Sequence, residues 1–295
     1  MRVTSFETLT LPSPEGEGNI SAMETGLAGR VVMITGASGG IGSAIAMRFA
    51  EEGAKLVLHY RTNRRNAEAL QRKLTSVESL IVRADLAKEA DARRMFAQAL
   101  RHFDRVDTLI ANAGSWEPRD IPLHKMSLGQ WQHTFDNVLT STFLAMREFF
   151  QIAAKQKRGN ALLISSTSGV FGEAGHADYS AAKSAMAFGL TRTLKNEIAR
   201  LVPTTRAYCG GRVNCLCPGW TIVPRTSEKL KDAKAIRRFT STMALRKIGL
   251  PDDVAGTAVF LSSDKLAGHI TGQTLIIAGG MEGRLLWPLD LENDR

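Results

Sequence analysis

Val31-Val32-Met33-Ile34-Thr35-Gly36-Ala37-Ser38-Gly39-Gly40-Ile41-Gly42 is the stretch on which the reading of this chain turns. The apolar run Val31–Thr35 predicts a short buried strand, and the glycines after it predict a sharp turn. From Ile41 to Glu52 apolar residues recur at helical spacing, and Gly53 stops them. Glycine lets a backbone turn sharply and come close to a ligand. A helix start presents free N–H groups and the positive end of its dipole. A strand, a glycine turn and a helix in that order therefore make a seat for an anion such as a pyrophosphate. The glycine spacing is Gly-x-x-x-Gly-x-Gly over Gly36, Gly40 and Gly42. Glycines alone would be a weak signal; their place between the first strand and the first helix makes the signal specific.

Outward from this turn the pattern alternates. Strands are predicted at Lys55–His59, Leu80–Val82, Thr108–Ala111, Ala161–Ser165, Arg212–Cys217 and Thr274–Ala278. Helices are predicted at Asn66–Leu74, Ala90–Phe103, Leu128–Gln156, Tyr179–Leu201 and Asp252–Ser262, while 225–247 is polar and less regular. Such alternation argues for an α/β fold, a doubly wound, Rossmann-type parallel sheet with helices on both faces. No interior linker marks a second domain, so residues 29–295 are read as one. Residues 1–28 stand apart. The breaker-rich Leu11–Gly18 has no apolar period, so 1–28 is expected to be a disordered extension, and Met23 is an alternative start.

Composition narrows the function classes. With 44% apolar and 23% charged residues over 295 positions, the chain is an ordinary globular protein with enough length for a sizeable core. No run of 18 apolar residues suggests a membrane span, and no basic–apolar–small order suggests a secretory signal, so a cytoplasmic protein is expected. The formal charge of +9 comes without a nucleic-acid reader motif, and an anionic cofactor or substrate accounts for it more simply. Cys209, Cys215 and Cys217 are odd in number and have no histidine placed to complete a metal set. They are read as thiols in and before a strand, with no metal site expected.

The second strand ends near Tyr60, where folds of this kind place an acid against the ribose hydroxyls of NAD. No acid is there; Arg61 follows, then Arg64 and Arg65. Arginine holds a 2′-phosphate through charge-assisted bonds, so NADP(H) is expected in preference to NAD(H), which remains possible. Further on, Tyr179-Ser180-Ala181-Ala182-Lys183 opens a predicted helix. Residues four apart share a helix face, so phenol and ammonium can approach. A free tyrosine has a pKa near ~10, and a fixed cation lowers it toward a useful acid or base.

Taken together, Thr35–Gly42, Asp85, Asn112-Ala113-Gly114, Ser166, Tyr179 with Lys183, and Pro218-Gly219 stand in the order of the short-chain dehydrogenase/reductase family, with Ser166 thirteen residues before Tyr179. The stretch from about Gly29 to Met281, including Thr271-Gly272-Gln273-Thr274, resembles that family, most closely its 3-oxoacyl-carrier-protein reductase-like members. The resemblance implies an oxidoreductase interconverting a ketone and a secondary alcohol. It implies Tyr179 as general acid/base, Lys183 as the group that lowers its pKa and holds the nicotinamide ribose, and Ser166 as the orienter of the substrate oxygen. It further implies cofactor contacts at Gly36, Ser38, Gly40, Ile41, Gly42, Arg61, Asp85, Leu86, Asn112, Ala113, Gly114, Tyr179, Lys183, Pro218, Gly219 and Thr221. For Asp85 and Asn112, turn chemistry at strand ends is an equal alternative.

Three positions depart from the family pattern. Its site asparagine lies seven residues after a tryptophan, but counting from Trp131 reaches Val138, and Asn137 is one residue early. One residue on a helix rotates a side chain by roughly 100°. A backbone carbonyl would survive the exchange, and a helix bulge could bring Asn137 into place as a catalytic residue. Val223 stands where a cofactor-holding threonine is usual, and Ala278 where an aspartate precedes Gly-Gly. These changes keep open a rival reading, a nucleotide-binding sensor or structural partner with impaired catalysis. The loop from Thr226 to Lys247 is expected to cover the substrate, a small carbonyl compound or acyl thioester. Its Lys229, Lys231, Lys234, Arg237 and Arg238 suit either an acyl carrier or solvent. A homotetramer or dimer is expected through the helices 128–156 and 179–201, with Ala181, Ala182, Ala185, Ala187 and Gly189 permitting close approach or internal packing.

Overall fold

A computed structural model describes residues 24–286 apart from 225, 228, 229 and 231. Among these residues a single sheet of seven parallel strands runs through the molecule in the order β3-β2-β1-β4-β5-β6-β7. The strands are β1 (Val31–Ile34), β2 (Lys55–Tyr60), β3 (Ser79–Arg83), β4 (Thr108–Ala111), β5 (Asn160–Ile164), β6 (Arg212–Pro218) and β7 (Thr274–Ile277). The chain order reverses between β1 and β4, which lie side by side with Val32 opposite Thr108. Loops leaving these strands diverge there and open a crevice beyond their carboxyl ends, where such folds bind ligands. The structure thus has the doubly wound, Rossmann-type architecture expected of the sequence.

Two apolar cores, one on each face, hold the sheet. One packs Met33, Val57 and Leu109 against α3 (Glu89–Phe103), α5 (Ser141–Gln156) and α8 (Thr191–Leu201). The other packs Val32, Ile34 and Leu58 against α1 (Gly40–Glu51) and α10 (Pro251–Ser262). Strands buried on both faces need continuous apolar runs, which explains why β1 and β2 read VVMI and KLVLHY rather than alternating. Cys215 and Cys217 are buried on β6, and Cys209 is half-buried before it.

The structure refines three expectations. Leu27 is only 2% exposed and belongs to the α1/α10 core, so the fold begins before residue 29; the rest of the proposed extension, 1–23, lies outside the described residues. The two long helices are interrupted. α4 (Leu128–Phe135) passes into α5 through a π-helical turn, Asp136–Thr140. α7 (Ala177–Ser184) passes into α8 through another, Ala185–Leu190. The polar segment after β6 contains a helix, α9 (Ala233–Thr240), whose Phe239 stacks on Trp220 at 3.8 Å between ring centroids. A fourth feature, α6 (Ser168–Phe171), is a single turn after β5, and α2 (Arg64–Lys73) and α11 (Asp264–Ala267) complete the helices named here.

Candidate active site

The glycine turn is built by contacts from three strands. Gly36 takes φ 67°, a left-handed conformation open to glycine. Its N–H donates to His59 Nδ1 at 3.0 Å, and the other ring nitrogen of His59 pairs with Ala84 O at 3.0 Å. A ring that accepts from an amide on one side and meets a carbonyl on the other is neutral with its proton on Nε2. Burial accordingly lowers the His59 pKa to about 4. Directly after β4, Asn112 Nδ2 donates to Thr35 O at 3.0 Å and Gly36 O at 3.3 Å. The Thr35 hydroxyl accepts from Asn112 N and Ala113 N, both at 2.9 Å. Asn112 therefore grips the glycine turn itself.

Glycine at Gly42 is a steric requirement. A Cβ there would stand 2.4 Å from Gly36 O and 2.8 Å from Asn112 Nδ2. At Gly40 a Cβ would meet Val223 Cγ1 at 2.6 Å, so the loop after β6 closes directly onto the turn. Val223, in the place of the family's threonine, is thus a packing residue. Thr226 staples this loop: its hydroxyl accepts from Val223 N at 3.0 Å and donates to Thr221 O at 2.6 Å. Ala278 fills the space over Gly219, where a Cβ would approach its own to 2.7 Å.

Beside the turn lies a cavity of about 340 Å³, lined by Gly36, Ser38, Gly39, His59, Arg61, Thr62, Asn63, Asp85, Leu86, Ala87, Ala113, Gly114, Ser115, Asn137 and Ser141. Seven of the sequence-derived cofactor residues line it: Gly36, Ser38, Arg61, Asp85, Leu86, Ala113 and Gly114. Gly40, Ile41 and Gly42 form the helix start at its edge, and no acid occupies the first turn of α1. Asp85 also shows the alternative role, accepting from Ala87 N at 3.3 Å as a turn residue. A glycine turn and a helix N-terminus without acids fit the pyrophosphate of a dinucleotide, and Arg61 adds a cation to the same cavity.

Gly114 connects this cavity to the Tyr179–Lys183 pair. A Cβ on Gly114 would lie 3.6 Å from Val138 Cγ2, 3.7 Å from Lys183 Nζ and 4.0 Å from Asn137 O. Lys183 is 4% exposed, donates to Ile164 O at 2.7 Å, and lies 5.7 Å from the centre of the Tyr179 ring. Burial lowers its pKa from 10.5 to about 8. Trp116 packs at 5.8 Å on the Tyr179 ring. Ser165 Oγ bonds Lys183 O at 2.7 Å, which ties the end of β5 to α7 and sets Ser166 next to it. Ser166 Oγ accepts from Ser168 N at 3.1 Å. Asp178, 1% exposed, accepts from Thr134 Oγ1 at 2.6 Å, Gln130 Nε2 at 3.2 Å and Tyr179 N at 2.8 Å. It thereby locks α4 to the start of α7.

The structure does not direct the Asn137 amide at this pair. Its side chain bonds Arg61 and His133 across the cavity mouth, and Val138 is the buried residue against Gly114. The π turn does shift the register, but it leaves Val138 inward and Asn137 toward the cavity. Only the Asn137 carbonyl shares the Gly114 side with Lys183, and it accepts from Ser141 Oγ at 2.8 Å. Pro218 ends β6, Gly219 N bonds Ile277 O at 3.0 Å, and Thr221 is buried with its hydroxyl on Gly219 O. Sequence reasoning missed His59 and Asp178. A lone histidine in an apolar strand reads as core, but an acid directly before a site tyrosine, at a helix start, was a usable signal.

Comparison with known proteins agrees with this geometry. The profile of a family described as enoyl-(acyl carrier protein) reductase matches residues 36–282. A 3-oxoacyl-(acyl-carrier-protein) reductase of Synechocystis sp. is 36% identical over 259 residues, covering 87% of this chain and 98% of that protein. A 3-oxoacyl-(acyl-carrier-protein) reductase of Staphylococcus epidermidis is 33% identical over 251 residues, covering 84% and 97%. With the glycine turn, the chain reversal beside it and the Tyr179–Lys183 pair next to Gly114, the chain belongs to the short-chain dehydrogenase/reductase family of NAD(P)-dependent oxidoreductases.

Proposed function

We propose that the protein is an NADP(H)-preferring reductase of 3-oxoacyl thioesters or related ketones, with Tyr179 as general acid. The observation that carries this reading is the buried Lys183 ammonium held beside the Tyr179 ring at the Gly114 end of the cofactor cavity. When bound, the reduced nicotinamide supplies the hydride, which no side chain can. Ser166 and Tyr179 present two hydroxyls to the carbonyl oxygen. As negative charge develops on that oxygen, Tyr179 gives up its proton, and the Lys183 cation stabilises the phenolate that remains. Ile164 O fixes the ammonium in place. The relatives' names motivate the thioester, and Arg61 at the β2 end, without an acid beside it, motivates the NADP(H) preference. Self-association through α5, α7 and α8 belongs to the same reading: Ala182 and Ala187 are consumed by the core, but Gly189 is exposed, with open space beside it.

The test is Tyr179→Phe. NADPH oxidation with a 3-oxoacyl thioester is expected to fall by about 10²–10⁴ or more, while NADPH binding by fluorescence stays within a few-fold of wild type. Retained turnover would remove Tyr179 from the mechanism.

A further inference from the structure

Asn137 sits one residue away from the family's asparagine position, yet its side chain is firmly placed. Its Nδ2 donates to His133 O at 2.8 Å and lies 2.8 Å from His133 Nε2. With both amide protons engaged on that side, the amide oxygen must face the other way, and it accepts from the Arg61 guanidinium. Arg61 follows β2 and Asn137 lies on the π turn before α5; both line the same cavity, and the bond between them spans its mouth. The π turn makes this possible, because it puts Val138 against Gly114 and Asn137 outward over the cavity.

From this geometry we infer that Asn137 is a specificity-determining residue, a neutral clasp that holds Arg61 over the cavity to receive a phosphate on the adenosine ribose. An exposed arginine has side-chain rotamer freedom to lose on binding. Asn137 restricts that freedom before the ligand arrives. A guanidinium has five N–H donors, and the clasp occupies one, leaving the others for phosphate oxygens. The partner's chemistry matters as much as its position. A carboxylate at 137 would hold Arg61 equally well but would neutralise the charge that a phosphate needs; an amide fixes the group and leaves the charge. This inference rests on the NADP(H) reading above and assigns to Asn137 what that reading leaves unexplained.

The test titrates adenosine 2′,5′-bisphosphate and adenosine 5′-monophosphate calorimetrically into the wild type, Asn137→Ala, Asn137→Asp and Arg61→Ala. The wild type is expected to prefer the bisphosphate. Asn137→Ala is expected to reduce that preference about fivefold, the worth of one net hydrogen bond, with affinity for the monophosphate unchanged. Asn137→Asp is expected to reduce it further, toward the level of Arg61→Ala. If Arg61→Ala lowers the preference while both Asn137 variants keep it, the clasp is refuted and the NADP(H) reading stands. If the Asn137 variants lose both nucleotides equally, Asn137 is merely structural and the inference falls. If the wild type shows no preference and Arg61→Ala changes nothing, the NADP(H) reading itself has failed, and the clasp with it.

Discussion

Lys183 carries its charge where water cannot reach it. Its ammonium is buried, bonded to Ile164 O, and its pKa is lowered to about 8 by that burial. The cation is therefore present below about pH 8 and lost above it, and with it, in the proposed mechanism, the stabilisation of the Tyr179 phenolate. The kcat/KM of ketone reduction, which reports groups of the free enzyme, is expected to fall above about pH 8. In Lys183→Met it is expected to be low throughout and to lack that limb. A wild-type profile flat to pH 10 would contradict this role. His59 makes the opposite kind of statement, about stability. Its folded pKa of about 4 lies below the ordinary 6.5. Between these values the unfolded chain binds a proton that the fold excludes, so stability is complete above pH 6.5 and declines as pH falls toward 4, by about 3 kcal/mol in all. His59→Leu removes this titration but leaves Gly36 N–H and Ala84 C=O without their side-chain partner, at a cost of about 1–3 kcal/mol at pH 7. Urea unfolding at pH 7 and pH 4.5 is expected to show the wild type losing more stability than the variant between the two.

At the scale of elements, the β1–turn–α1 unit tolerates substitution very unevenly. Gly42→Ala would drive a methyl into Gly36 O and the backbone of Ala37, atoms that cannot withdraw without opening the turn. Overpacking of this kind costs about 1–3 kcal/mol, and NADPH affinity is expected to fall with it. Gly256, exposed within α10 with open space beside it, is the converse. Gly256→Ala is expected to stabilise by about 0.5–1 kcal/mol through helix propensity alone; thermal melts of the two variants should shift in opposite directions. Elements were also where the sequence was most legible. Val31–Gly42 announces itself, because an apolar run, glycines and a helical period all change within twelve residues. The π turn at Asp136–Thr140 was legible only as a bulge that the displaced Asn137 allowed, and the one at Ala185–Leu190 not at all, since both continue the apolar spacing of the helices they interrupt. Nor was α9, whose arginines and lysine hide the few apolar residues that dock it, Phe239 among them.

At the scale of the molecule, the site is assembled by contacts distant in sequence, and these separate what could be read from what could not. Tyr179 and Lys183 are four apart and share a helix face, so their partnership is local. Arg61 and Asn137 are 76 residues apart, and His59 on β2 is bonded to Gly36 in the turn after β1. Only the sheet order brings them together, because β2, β1 and β4 are neighbours. The same reasoning explains Leu27, whose burial depends on the α1/α10 face rather than on its polar surroundings in the chain. No helix among the described residues is long and apolar enough to cross a membrane. In the proposed function this assembly moves hydride between a nicotinamide and a ketone carbon. The direct measurement supplies NADPH deuterated at the transferable position together with a 3-oxoacyl thioester, and separately with a 2-enoyl thioester, and reads the products by mass spectrometry. Deuterium on the carbinol carbon of a 3-hydroxyacyl thioester is the expected result; bound cofactor with unchanged 3-oxoacyl thioester, or label delivered only to the enoyl substrate, would contradict it.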